Sequence, residues 1–382
     1  MAARPLRCSV HRLDLPAAAN GVLPSQRLAE AVRAGAIDGG PGGVPAANIQ
    51  PASLDLRLGE VAYRLRCSFL PDRQPVEDKL GDFVIDELDL RDDGAVLETN
   101  RPYLVPLEER LALPPDVRGK ANPKSSTGRL DVFTRVISDN SYRFYEIVAG
   151  YQGRLYLEVV PLSFAIRVRR HLALNQLRLS VGHSRLTDDE VKAEHARSPL
   201  LIGEGEPVAA EDLAVGDGLF LSLDLRGDAE GRVGYRARDS APLLDMTRSK
   251  LDAQPYWEAV VREPGDRIVL TPQRFYLLMS NEAVVIPPTM AAEMTAYDPT
   301  SGELRTHYAG FFDPAFGFGS EGGSRAALEV RAHDVPFMIE HGQKVCKLTF
   351  ERMLEEPESH YGQSIGSSYQ GQEEALGKHF RP

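Results

Sequence analysis

A chain of 382 residues, 42% hydrophobic and 26% charged, is long enough for two or three domains with proper cores and has the balance of an ordinary globular protein. Its net charge of −11 argues against broad nucleic-acid binding, which needs an extended basic face to displace counterions, so any polyanionic ligand must meet a local basic cluster. No apolar run approaches the roughly 20 residues that span a bilayer, and the opening segment has no apolar signal core, so a cytoplasmic protein without a membrane partner is expected.

The first predicted element is a helix with Ser25 as N-cap, Leu28, Ala31 and Val32 on one face and Gly35 as its stop. From there the signal is β. In "SLDLRL" the residues Leu54, Leu56 and Leu58 alternate with polar neighbours, the period of a half-buried strand, and Asp55 reads as structural. The stretch from Val96 runs strand, polar turn, strand and ends on Pro114 and Pro115.

"ANPKSSTGRL" from Ala121 follows. With Arg118 and Lys120 just before it, Lys124 and Arg129 make a concentrated basic patch opposed only by Asp116. Hydroxyls at Ser125, Ser126 and Thr127 can cap a helical turn whose free N–H groups take phosphate, and the i, i+4 spacing puts Ser125 and Arg129 on one face. Composition alone leaves a solvated turn equally open. Farther on, if Leu155, Leu157 and Val159 face a core, then Arg154, Tyr156 and Glu158 share the opposite face. A strand glutamate there is usually a solvated group; the functional reading is a carboxylate held in a cleft as general base.

The pattern then repeats. "VLETNRPYLVPLEERLALPPDVRGKANP" from Val96 matches "VLTPQRFYLLMSNEAVVIPPTMAAEMTA" from Val269, and "RLYLEVVPLS" from Arg154 matches "RAALEVRAHD" from Arg325. The offsets are steady: 287 − 114 = 173 and 329 − 158 = 171, with a weaker upstream pair at 224 − 55 = 169. Two many-stranded β domains are therefore expected, over 1–185 and 218–355, with a polar linker over 186–217 that carries a capping box at Thr187 and Glu190. "FGFGSEGGS" from Phe316 reads as a Gly-rich hairpin rather than a phosphate loop. Cys8, Cys67 and Cys346 show no metal or disulfide spacing and read as reduced and idle. Residues 356–382 are rich in Gly, Ser, Gln and Tyr, which fits either disorder or a flexible lid whose Tyr361 and Tyr369 stack on a ligand.

Taken together, "IQPASLDLRLG", "KSSTGRL" and "GRLYLEV" in the first half, "HYAGFFDPAFG" and "HGQKVCKLTFE" in the second, and "YGQSIGSSYQGQ" in the tail resemble the dCTP deaminase branch of the dUTPase superfamily, here in a tandem-duplicated form. The resemblance implies a mainly β fold of two dUTPase-like distorted barrels or sandwiches with a few short helices. It implies a hydrolase acting on a cyclic amidine C–N bond, converting dCTP to dUTP and ammonia without zinc, with Mg²⁺ carried by the triphosphate. dTTP would be an inhibitor, and the assembly a homo-oligomer, either trimeric or pseudo-hexameric. Carried over by position, Ser125 and Arg129 line the site, Glu158 is the general base, Lys124 and Ser126 contact the phosphates, and Tyr361, Tyr369 and Gln372 belong to the lid.

The two halves depart from the family pattern in opposite ways. The first reads "EIVAGYQG" where the family has an aspartate; the second keeps Asp313, yet its serine segment has decayed to "DPTSGELR" with only Ser301 and Arg305, while Glu329 occupies the catalytic strand position. One working site per chain is therefore expected, with Ser125, Arg129 and Glu158 from the first half and Asp313 plus the tail completing it. The alternatives are dUTP hydrolysis to dUMP and pyrophosphate, alone or coupled to deamination, and a non-catalytic nucleotide-binding regulator.

Overall fold

The computed structural model describes residues 13, 15–16, 18–296, 304–306, 310–320, 322–332, 334–359, 369 and 375–381. The chain is mainly β, and the described residues hold four α-helices of at most ten residues. Ser25–Arg33 forms the expected first helix and buries Leu28 and Ala31. Its N-cap is Pro24, not Ser25: the proline supplies the extended conformation before the helix, and Ser25 becomes the first helical residue. Gly35, at φ +76°, turns the chain out of the helix as a left-handed C-terminal glycine does.

In the first half the long strands Tyr103–Ala112 and Gln152–Pro161 pair antiparallel, and Val132–Ser138 lies on the other edge of the latter. A second sheet centres on Ala173–Val181, which pairs with Leu54–Arg57 and Gly21–Val22 on one side and Val117–Pro123 on the other. The second half repeats this plan with Phe275–Val284 against Ser324–Ala332 and Met290–Ala296 against Lys344–Arg352. Even the registers correspond. Leu104 opposes Glu158 and Leu277 opposes Glu329, offset by 277 − 104 = 173 and 329 − 158 = 171; Lys120 opposes Arg178 and Glu293 opposes Thr349, offset by 293 − 120 = 173 and 349 − 178 = 171.

Leu54, Leu56, Leu58, Leu155, Leu157 and Val159 enter one core, as their alternation requires. The opposite face of the Glu158 strand is not solvated. The Val76–Leu80 helix, Leu65, Leu104 and Ile137 cover it with a small second cluster, which leaves Tyr156 and Glu158 only 2% and 1% exposed.

The halves interleave. The capping box of Asp188–Arg197 is present, Glu190 Oε2 accepting from the Thr187 N–H at 2.8 Å and Thr187 Oγ1 from the Glu190 N–H at 3.4 Å. Within the stretch expected as linker, Leu186, Val191, Leu200, Leu201 and Leu213 pack into the second core. Conversely, Leu244, Met246, Tyr256 and Trp257 from the second half pack into the first core, and Leu244–Asp245 runs parallel to Ile166–Val168. Across the boundary Arg178 donates to Glu351 Oε2 at 3.0 Å and to the Ala292 and Phe312 carbonyls, while its guanidinium lies 4.0 Å over Phe311.

Candidate functional site

Ser125–Gly128 is a single helical turn placed by the end of the Val117–Pro123 strand, and Ser126, Thr127 and Gly128 are buried in it. Lys124 is the cap residue; its N–H donates to the Leu174 carbonyl at 3.0 Å and fixes where the turn begins. Arg129 follows the turn and is 3% exposed. Its guanidinium donates to the Ala375 and Leu376 carbonyls at 3.2 and 3.3 Å and stacks on Tyr369 at 3.8 Å, so the C-terminal segment holds it in place.

The carboxylate beside Arg129 is Glu329, from the Ser324–Ala332 strand of the second half. Burial pushes its carboxyl up to about 8, with Arg129 opposing that rise and Asp131 adding to it. Asp131 is itself ion-paired with Arg331, a second contact between the halves. Glu158, which occupies the matching strand position in the first half, meets a different environment. It accepts from Arg135 Nε at 2.7 Å; Arg135 in turn donates to Ser68 Oγ at 2.8 Å and rests on Phe144 at 3.9 Å.

The expected trio of Ser125, Arg129 and Glu158 is thus not what comes together. Glu158 points to Arg135 on the adjacent strand, whereas the packing of the halves sets the first-half turn against the second-half strand. Spacing within one half fixes the strand position of a glutamate; it says nothing of which half docks on the serine turn.

A charged corner adjoins this pair. Lys124 is ion-paired with Asp55 Oδ2, while Asp55 Oδ1 is buried without a hydrogen-bond partner. Burial raises the Asp55 carboxyl, and Lys124 and Lys378 counter it. Asp313 arrives from the second half, half-buried, with its Oδ1 shut off from solvent; desolvation lifts its carboxyl to about 6, helped by Asp55 and opposed by Arg178, Lys124 and the Ala52 N–H from which it accepts. Gly310 brings the second-half backbone close, since a methyl group there would sit 3.7 Å from Ser125 Oγ. Asp55 therefore belongs to the site, where alternation with leucines had made it read as structural.

The basic patch is divided among different partners. Lys120 binds Glu293 at 2.6 Å and Arg118 donates to the Gly182 carbonyl, which leaves Lys124 and Arg129 at the site. Tyr361, Gln372 and Ser301 lie outside the described residues, and of Arg305 the structure describes only its place in Leu304–Thr306. In "FGFGSEGGS", Gly317, Gly319, Gly322 and Gly323 all take left-handed φ values, but the stretch is not the expected hairpin: it joins Phe311–Phe312, paired with Met290–Ala296, to Ser324–Ala332, paired with Phe275–Val284, and so crosses between two sheets.

Two family models match the chain in tandem. Residues 19–183 fit the 2'-deoxycytidine 5'-triphosphate deaminase N-terminal domain and residues 187–380 the C-terminal domain of the same family. The chain belongs to the dCTP deaminase family. It is similar to the crystal structure of 2'-deoxycytidine 5'-triphosphate deaminase from Agrobacterium tumefaciens, at 46% identity over 91% of this chain and 100% of that one, with a TM-score of 0.85. A "dCTP deaminase" of Halorubrum lacusprofundi is 30% identical over 118 residues, 31% of this dCTP deaminase family member and 55% of that protein, so the match spans about half the relative's length. A "dCTP deaminase, dUMP-forming" of Halobacterium salinarum is 28% identical over 49% of this chain and 90% of its own.

Proposed function

We propose that this member of the dCTP deaminase family hydrolyses dCTP to dUTP and ammonia at one composite site per chain, with Glu329 rather than Glu158 as the general base. The observation that carries this reading is the docking of the segment that follows the serine turn on the Ser324–Ala332 strand through the Asp131–Arg331 ion pair, which brings Glu329 within the field of Arg129 where that guanidinium stacks on Tyr369. A carboxyl poised at about 8 can take a proton near neutral pH and give it back, which a deamination requires twice. In the proposed sequence Glu329 removes a proton from water placed by Ser125, and the oxygen bonds to C4 of cytosine. The carboxylic acid gives that proton to ring N3, takes the remaining proton from the C4 hydroxyl and passes it to the amino group; the C4–N4 bond breaks as the C4 carbonyl forms, and ammonia leaves. Arg129, permanently charged, favours ionised Glu329 at the start of each cycle.

Lys124 and Ser126 are proposed as contacts to the triphosphate, taken as its magnesium complex, with Asp313 lining the pocket. Tyr369, and Tyr361 and Gln372 by the sequence resemblance, would close over the nucleotide. A second reading, deamination followed by release of dUMP and pyrophosphate, is favoured by the relatives named "dCTP deaminase, dUMP-forming" from Halobacterium salinarum, Beutenbergia cavernae and Methanobrevibacter smithii.

Incubation with dCTP and Mg²⁺, with ammonia measured and products separated as dUTP, dUMP and pyrophosphate, tests both. Ammonia with dUTP is the expected result, and dUMP would establish the second reading. Glu329→Gln should lower kcat by about 10² to 10⁴, the usual contribution of a positioned acid–base group, while Glu158→Gln retains deamination. The reverse outcome would return the role of base to Glu158.

A further inference from the structure

Arg129 and Asp131 leave the serine turn two residues apart, and both are buried, at 3% and 0% exposure. Asp131 sits at φ +56°, a left-handed conformation that a non-glycine residue enters at a cost, Asp less than most. Its backbone is held on both sides: the N–H donates to the Gly128 carbonyl at 2.8 Å, and the carbonyl accepts from the Leu162 N–H at 3.0 Å. Its carboxylate accepts from the Ser163 hydroxyl at 2.5 Å and is ion-paired with Arg331. Arg331 also donates to the Gln273 carbonyl, and its guanidinium lies 5.9 Å from the centre of the Phe275 ring.

Glu329 and Arg331 are likewise two apart, on one face of Ser324–Ala332. Their cross-strand partners Leu277 and Phe275 carry that face into the first core. A cation and an anion on the turn segment are thus set against an anion and a cation on the strand, and sliding the strand by two residues would bring like charges together. The first-half strand has no such pattern. Glu158 holds the place of Glu329 there, but the residue two further on is Val160 (331 − 171 = 160), which offers Asp131 no counter-charge. A carboxylate buried as deeply as Asp131 and left unpaired is strongly destabilising. The titratable and charged groups around Glu329 are Arg129 and Asp131 on the turn segment, Tyr369 in the C-terminal segment, Cys346 on Lys344–Arg352 and Arg331 on its own strand; Arg305 opposes Arg331 in register on Leu304–Thr306.

We propose that Asp131 and Arg331 are the positioning pair of the composite site: their ion pair selects the Glu329 strand over the Glu158 strand as the partner of the serine turn and fixes Glu329 relative to Arg129. The part the pair plays in catalysis rests on the deaminase reading above; the docking itself does not.

The test uses the full chain. Asp131→Asn keeps the shape and tolerates the left-handed backbone while removing the charge, Arg331→Met removes the partner, and the double variant strands no charge, which keeps the comparison open should Arg331→Met alone fail to fold. With dCTP each single variant should lose about 10- to 100-fold in kcat, the scale of a displacement of about 1 Å, with KM within a few-fold. The double variant should lose no more than Asp131→Asn, as expected of two residues that act as one. In Asp131→Asn the ascending limb of the kcat pH profile should also move down by about a pH unit, because Glu329 loses a neighbouring negative charge. Losses that multiply in the double variant, or an unmoved limb, would overturn the pair. A second readout needs no substrate: the melting difference between each chain and its Glu329→Gln counterpart should stop widening about a pH unit lower in Asp131→Asn than in the wild type. That shift in a chain releasing no ammonia would sustain the pair and overturn the deaminase reading instead, and its absence would overturn the pair whatever the chemistry.

Discussion

Glu329 makes a prediction that needs no substrate. Its carboxyl sits at about 8 in the folded chain against an ordinary 4.5, so between those pH values the folded protein keeps a proton that the unfolded chain releases. Its contribution to stability is therefore complete below about 4.5 and is lost as pH rises through 8. At 1.36 kcal/mol per pH unit, (8 − 4.5) × 1.36 gives about 5 kcal/mol as the full span. Glu329→Gln has nearly the same shape and cannot ionise. It should melt close to the wild type at pH 5 and up to about 10–20 °C above it at pH 9, since a kilocalorie corresponds to roughly 2–4 °C in chains of larger size. Asp313, raised to about 6, titrates in both proteins and cancels from the difference. Thermal melts followed by circular dichroism at half-unit steps from pH 5 to 9 read the gap directly. A constant gap across that range would refute a buried, protonated Glu329 and, with it, the electrostatic case for its role as base.

Other expectations follow from the same contacts. Tyr369→Leu removes the ring under Arg129 and should lower kcat/KM about 3- to 30-fold, the worth of a partly desolvated cation–π contact, while Tyr369→Phe stays near wild type in steady-state assays. Arg178→Met strands Glu351 in the seam between the halves and should cost about 3–5 kcal/mol in urea unfolding. Phe380→Ala opens a gap beside Tyr256 and Trp257; a loss of about 3–5 kcal/mol is expected, with faster tryptic cleavage after Lys378.

What the sequence disclosed follows the range of the forces involved. Leu155, Leu157 and Val159 announced their strand because alternation is local, and the offset of about 171 to 173 survived duplication because paired strands constrain both partners. Ser125 and Arg129 were readable as neighbours because one helical turn separates them. Glu158 and Glu329 were not distinguishable by the same means: the difference lies in Arg135 beside one and Arg129 beside the other, and the second contact joins residues 200 positions apart (329 − 129 = 200). Asp55 read as structural for a similar reason, since its pairing with Lys124 joins residues 69 positions apart (124 − 55 = 69). The expected linker was read from its acidic residues, most of which face outward while its leucines go inward.

The interleaving of the halves bears on how such a chain can be made. The core of the first half contains Leu244, Trp257, Ala375 and Phe380, so it cannot reach its final packing as the first half leaves the ribosome. Phe164 must wait for Tyr256 and Trp257, 92 and 93 residues on, and those for Phe380, a further 124 and 123, separations that make closure slow. The last turn carries both the carbonyls that hold Arg129 and the ring that completes that core. Fragments cut between the repeats should therefore behave as partners in complementation rather than as two independent enzymes.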